Sequence, residues 1–154
     1  LFKKNKTTLS RNLKKKLEAE KKNKIQSIQN WKSLENKCKI HKFKLMEFFN
    51  KHSVDSNIVG YGASARSSTL LNYLKLNNNS LKKIFDINPL KKNLYTPGTN
   101  IKIEFPTKKK IKSFNIIFLL AWNFKKEILN FLRSNGFKGK ILQPLPKIKF
   151  FKLK

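Results

Sequence analysis

Hydrophobic positions along the chain follow two different patterns. Up to about residue 52 they recur at helical spacing, and beyond it short apolar runs alternate with helical stretches. In residues 1–24, Leu9, Leu13 and Leu17 are spaced by four among lysines, a thin stripe that predicts a solvated basic helix or linker. Trp31, Leu34, Cys38, His41, Leu45 and Phe48 are then separated by 3, 4, 3, 4 and 3. That spacing predicts an amphipathic helix over 25–52, packed on a domain through Trp31, Leu34, Leu45 and Phe48. Ile25 and Ile28 extend the face at one end, and Phe43, Met46 and Phe49 widen it at the other.

From Ser56 onward the order predicts an α/β domain over 53–154. Asn57–Tyr61 reads as a buried strand, Ala65–Leu76 as a helix, and Lys83–Ile87 as a second strand closed by Asn88-Pro89. Tyr95–Asn100 is a turn, and Ile101 and Ile103 alternate with Lys102 and Glu104 as a short strand or edge segment. Asn115–Ala121 is a continuous apolar run suited to a sheet covered on both faces. Asn123 is placed to cap a helix that reaches Ser134 and stops at Gly136, before a last strand, Lys140–Gln143. The fold class is a small, Rossmann-like, doubly wound and mostly parallel sheet, preceded by the amphipathic helix.

Composition changes this picture in two ways. The net charge of +28 over 154 residues favours polyanions such as nucleic acid. Yet Lys, Asn, Ile and Phe make up half the chain and Ala numbers only 4, the signature of A/T-rich coding. Drift in base composition therefore accounts for the charge better than a nucleic-acid partner does. A single cysteine, Cys38, excludes a disulfide framework and a multi-cysteine zinc site within the chain, and points to a reducing, cytoplasmic setting. Cys38 and His41 have a metal-compatible spacing but lack a second pair, so core packing is the better reading. The longest apolar run, Ile116–Trp122, is too short to cross a membrane. A start at Leu1 rather than Met points to a piece of a longer protein.

The candidate chemistry lies at one sheet edge. Gly60-Tyr61-Gly62-Ala63-Ser64-Ala65-Arg66 fits G-x-G-x-x-A between a strand and a helix, a pattern that marks either a phosphate-binding loop or a turn where the fold needs small residues. There Gly60 would make the tight turn, Gly62 would admit a phosphate, and Ser64, Arg66 and the helix N-terminus would bind it. Asp86, 26 residues after Gly60, would either hold ribose hydroxyls or cap the Asn88-Pro89 turn. Asn123 follows the longest strand, so it faces the same edge. Lys125 and Lys126 in a first helical turn are disfavoured by the dipole, which composition bias accounts for and a nearby phosphate would explain better. The candidate substrate-binding residues are thus Gly60, Tyr61, Gly62, Ser64, Arg66, Asp86 and Asn123. No acid–base pair, nucleophile–histidine pair or Walker loop is present, so the chain does not read as a complete enzyme.

Four ordered blocks carry a resemblance. They are Ile58–Tyr73, Asp86–Lys91, Tyr95–Ile103 and Leu119–Ile128. Together they resemble the C-terminal domain of the sugar C-methyltransferases that act on nucleotide-linked deoxysugars, over about residues 30–147. The sequence departs from the family pattern at Ser64, Arg66, Ser67 and Asn100. The resemblance implies a domain that helps enclose a nucleotide-sugar substrate, while an upstream domain of the same chain binds S-adenosylmethionine and transfers the methyl group. It implies no cofactor and no methyl transfer for these 154 residues by themselves. The alternatives are a basic, non-enzymatic RNA- or ribosome-associated protein that kept the fold and, from the glycine loop and Asp86 alone, a nicotinamide-dinucleotide binder.

Overall fold

The computed structural model describes residues 10–52 and 57–153. Two compact units divide the chain near residue 40. In the first, Ser10 caps α1 (Arg11–Lys22) by accepting from the Leu13 N–H. The turn that follows is closed by Asn30, whose Nδ2 donates to the carbonyls of Asn23 and Lys24 at 2.9 and 2.8 Å. α2 (Ile28–His52) begins there. Leu9 lies outside the described residues, and Leu13 and Leu17 are exposed, as a solvated basic helix requires.

The second unit is built on a six-stranded sheet of order β3-β2-β1-β4-β5-β6. Its strands are β1 (Ile58–Tyr61), β2 (Ile84–Phe85), β3 (Ile103–Glu104), β4 (Ile116–Leu119), β5 (Lys140–Gln143) and β6 (Lys149–Lys152). The first five are parallel and β6 returns antiparallel beside β5. The helices are α3 (Ala65–Leu74), α4 (Lys108–Lys112) and α5 (Lys125–Ser134). The α/β, mostly parallel sheet read from the sequence is therefore present.

Strand alternation sorts the apolar side chains into two cores. Ile58, Ile84, Ile116 and Phe118 pack with Leu70, Leu71 and Leu74 of α3 and with Leu45 and Phe49 of α2. Val59, Tyr61, Ile117 and Leu119 pack on the other face with Ile111 of α4 and Ile128, Leu129 and Leu132 of α5. The domain is three layers thick.

Several sequence expectations need correcting. Leu45 is fully buried and Phe48 packs at the edge of the core, but Trp31 is 56% exposed and Leu34 48% exposed. Spacing identifies which residues share a helix face; it does not say how many turns of that face find a partner. Cys38 is also exposed rather than packed, and His41 Nε2 donates to the Pro144 carbonyl at 2.8 Å. Asn123 does not cap α5: it lies in a 3-10 turn, Trp122–Phe124, that leads into the helix without a side-chain cap. Gly136, at φ +72, does follow the last turn of α5. Two elements were not foreseen, the short helix α4 and the strand β6.

Among the described residues no helix is long and apolar enough to cross a membrane, and no cluster of His, Cys, Asp or Glu could hold a metal ion.

Candidate functional site

In an open parallel sheet the strand order reverses where neighbouring connections leave on opposite faces, and a crevice opens outside the carboxyl ends of those strands. Here that point lies between β1 and β4. The segments that leave them, Ser64–Arg66 and Leu120–Phe124, line a cleft of about 200 Å³. Ser64, Arg66 and Asn123 are brought together in it. All three are exposed.

The rim on the β1 side is a built helix start. Ser64 is the N-cap of α3, its Oγ accepting from the Ser67 N–H, while Ser67 Oγ accepts from the Ser64 N–H at 2.5 Å. This reciprocal capping box fixes the first turn. The N–H groups of Ala65 and Arg66 have no carbonyl one turn back to bond, so they remain free to face an anion together with the positive end of the helix dipole. Arg66 adds a planar guanidinium that matches two phosphate oxygens. Opposite them Trp122 is half-buried and Phe124 is 62% exposed, giving the cleft an apolar wall.

The other candidates lie outside the cleft and hold it in shape. Gly60 is not a turn residue: it sits inside β1, and a Cβ there would lie 2.8 Å from Leu120 Cδ1 and 2.9 Å from Ile84 Cγ1. Gly62, at φ +98, is the residue that turns the chain. A Cβ on Gly62 would collide with the Ala121 methyl, so its missing side chain lets the two edge loops touch. Tyr61 is buried with its ring near Phe131 of α5, on the face away from α3. Burial, with a smaller contribution from the Asp86 charge, pushes the Tyr61 phenol far above its ordinary value, so it stays protonated at neutral pH.

Asp86 has a full set of donors. Its Oδ2 accepts from the Ala63 N–H at 2.8 Å and from Lys91 Nζ at 3.2 Å, and its Oδ1 accepts from the Asn88 N–H at 2.8 Å. Lys91 Nζ also donates to the Ala63 carbonyl at 2.6 Å. Asp86 thus does cap the Asn88-Pro89 turn, and it braces the glycine loop as well. Lys91 was not singled out from the sequence, although it lies five residues from Asp86 within the Asp86–Lys91 block. Lys125 needs no phosphate to explain it: its Nζ donates to Gln143 Oε1 at 2.7 Å and lies over the Phe151 ring.

The family model of the C-methyltransferase C-terminal domain matches residues 2–146, nearly the whole chain. No curated protein matches the chain. The glycine loop, the Asp86–Lys91 brace and the Trp122–Phe124 wall all lie within the matched span. The chain belongs to the C-methyltransferase C-terminal domain family.

Proposed function

We propose that this chain is the substrate-side domain of an S-adenosylmethionine-dependent C-methyltransferase, and that its cleft takes the phosphate-bearing part of a nucleotide-linked sugar. The observation that carries the reading is the convergence of Ser64, Arg66 and Asn123 on one cleft at the switch point of the sheet. Arg66 and the first N–H groups of α3 hold phosphate oxygens, Asn123 offers an amide to a hydroxyl or base edge, and Trp122 and Phe124 exclude water from one side.

S-adenosylmethionine supplies the methyl group from a domain upstream of this one. Asp86 supports that division. A carboxylate at the end of the second strand is the usual ribose ligand in a nucleotide-binding α/β sheet. Here its oxygens are occupied by Ala63, Asn88 and Lys91 and it is 9% exposed, which also argues against a nicotinamide dinucleotide. Methylation at carbon needs an acid–base group to form the carbon nucleophile. None of the described residues lining the cleft is a carboxylate, histidine or cysteine, and on this reading that group belongs to the catalytic domain.

Amide NMR during a titration with a nucleoside diphosphate (UDP as the probe) tests the reading. Shifts concentrated at Ala65, Arg66 and Asn123 support it, whereas shifts confined to other surfaces refute it.

A further inference from the structure

A larger concavity, of about 750 Å³, lies at the opposite edge of the sheet. Ile116 and Lys140, which line it, are the first residues of β4 and β5, so it opens at the amino ends of the parallel strands. Four lysines from three parts of the domain converge there: Lys112 from the end of α4, Lys138 and Lys140 from the approach to and start of β5, and Lys152 from the end of β6. His52 and Phe150 complete the rim, and none of the described lining residues is acidic.

The lysines are placed by the fold at a cost. Because β6 runs antiparallel to β5, it returns Lys152 directly opposite Lys140 in register. Like charges facing each other across an antiparallel pair repel, and among the described residues that line the pocket no carboxylate relieves them. Elsewhere on the sheet the fold does provide relief: Glu104 takes both Lys83 and Lys110. Lys112 lies across Gly136, where a Cβ would come within 2.8 Å of its Cε. The Phe150 ring has Lys140 Nζ 5.3 Å over it and Phe48 and His52 packed against it at 4.8 and 5.6 Å, and its remaining 39% exposure leaves an apolar surface beside the charges.

We propose that this edge is a second binding site, one that takes a single-stranded nucleic acid. Its phosphates run between Lys112, Lys138, Lys140 and Lys152, and a base rests against Phe150. An open pocket of this volume holds more than one phosphate, and charge with an exposed ring is the combination that single strands use. The site lies at the other end of the strands from the switch-point cleft and does not depend on the methyltransferase reading.

The test is fluorescence anisotropy of the 154-residue chain with a labelled oligouridylate of 12 nucleotides, across a salt series. Three variants separate a site from diffuse charge. The first replaces Lys112, Lys138, Lys140 and Lys152 with Gln, the second replaces the same four with Arg, and the third replaces the exposed Lys92, Lys102, Lys108 and Lys109 with Gln. All twelve substitutions fall on exposed side chains, and circular dichroism verifies folding. The first variant is expected to lose at least thirtyfold in affinity at low salt, its salt slope falling by about 3 (roughly 0.7 per lost phosphate contact). The Arg variant is expected to keep binding, and the third to lose less than fivefold. Equal losses in the first and third variants, or no binding by the wild-type chain, would overturn the proposal. So would displacement of the oligonucleotide by millimolar inorganic phosphate at constant ionic strength, because that marks a small-anion site.

Discussion

The carboxylate of Asp86 and the backbone N–H of Ala63 are joined at 2.8 Å, although 23 residues separate them in sequence. That bond ties the end of β2 to the loop that leaves β1, and so fixes where α3 starts. Lys91 closes the arrangement by reaching both partners, the Ala63 carbonyl and the Asp86 carboxylate. In many nucleotide-binding sheets a carboxylate here is kept for ligand; in this chain it positions the loop.

Replacing Asp86 with Asn therefore acts on stability before it acts on any ligand. The variant keeps the shape but has a single acceptor oxygen, so it cannot serve Ala63 N–H and Lys91 on one side and the Asn88 N–H on the other, and it leaves the Lys91 charge without its carboxylate. A loss of about 2 kcal/mol is expected in urea denaturation. Unchanged stability would show that Asp86 is held in reserve for something else.

Gly62 gives a second expectation. Its φ of +98 disfavours any side chain, and the Ala121 methyl occupies the place of a Cβ. Gly62→Ala should cost on the order of 3 kcal/mol, combining backbone strain with the collision. Adding Ala121→Gly should restore only the part due to the collision, read from a double-mutant cycle. The same geometry makes Gly62→Val unsuitable as a probe of ligand binding, since the fold would suffer first.

The two ends of the α2 stripe should respond very differently to truncation. Leu45, fully buried against the sheet, is expected to cost about 2–5 kcal/mol when cut to Ala. Trp31, 56% exposed, is expected to cost less than about 0.5 kcal/mol. Both values are read from denaturant midpoints, and a larger loss at Trp31 would contradict its exposure.

Those two residues also show how far the sequence could be read. The parallel sheet was legible because Ile58–Tyr61 and Ile116–Leu119 are apolar on both faces, which a sheet covered on one side would not tolerate. The helix face was legible too, but not where along it the burial begins. β6 was missed because its sequence, Lys149-Phe150-Phe151-Lys152, carries a charge at each end and follows two prolines. Of the candidate site residues, Ser64, Arg66 and Asn123 meet in the cleft, whereas Gly60, Gly62, Tyr61 and Asp86 lie outside it, in the strands and loop behind. A glycine motif reports that backbones approach closely; the fold decides whether the neighbour is a ligand or, as at Gly62, another loop.

Glu104 predicts a pH dependence. Burial alone would raise its carboxyl, but hydrogen bonds and charge from Lys110 and Lys83, at 2.6 and 2.7 Å, outweigh it and hold the group below its ordinary value. A depressed carboxyl stabilises the fold above its unfolded-state value and loses that contribution as pH falls through the folded-state value. Glu104→Gln should thus lower stability by about 1 kcal/mol at neutral pH, with the difference vanishing in acid. Denaturation followed from pH 7 downward checks it, and a difference that did not shrink as the pH fell would assign the loss to packing.

The most direct test of the cleft as a nucleotide-phosphate site is calorimetric titration of the chain with UDP at fixed ionic strength. Wild type, Arg66→Ala, Asn123→Ala and the four-lysine Gln variant of the opposite edge are compared. The account predicts that Arg66→Ala weakens binding at least tenfold, as loss of a charge-assisted phosphate contact should. Asn123→Ala should weaken it a few-fold, and the four-lysine variant should bind as wild type does. Full affinity in Arg66→Ala, with the loss appearing instead in the four-lysine variant, would contradict it.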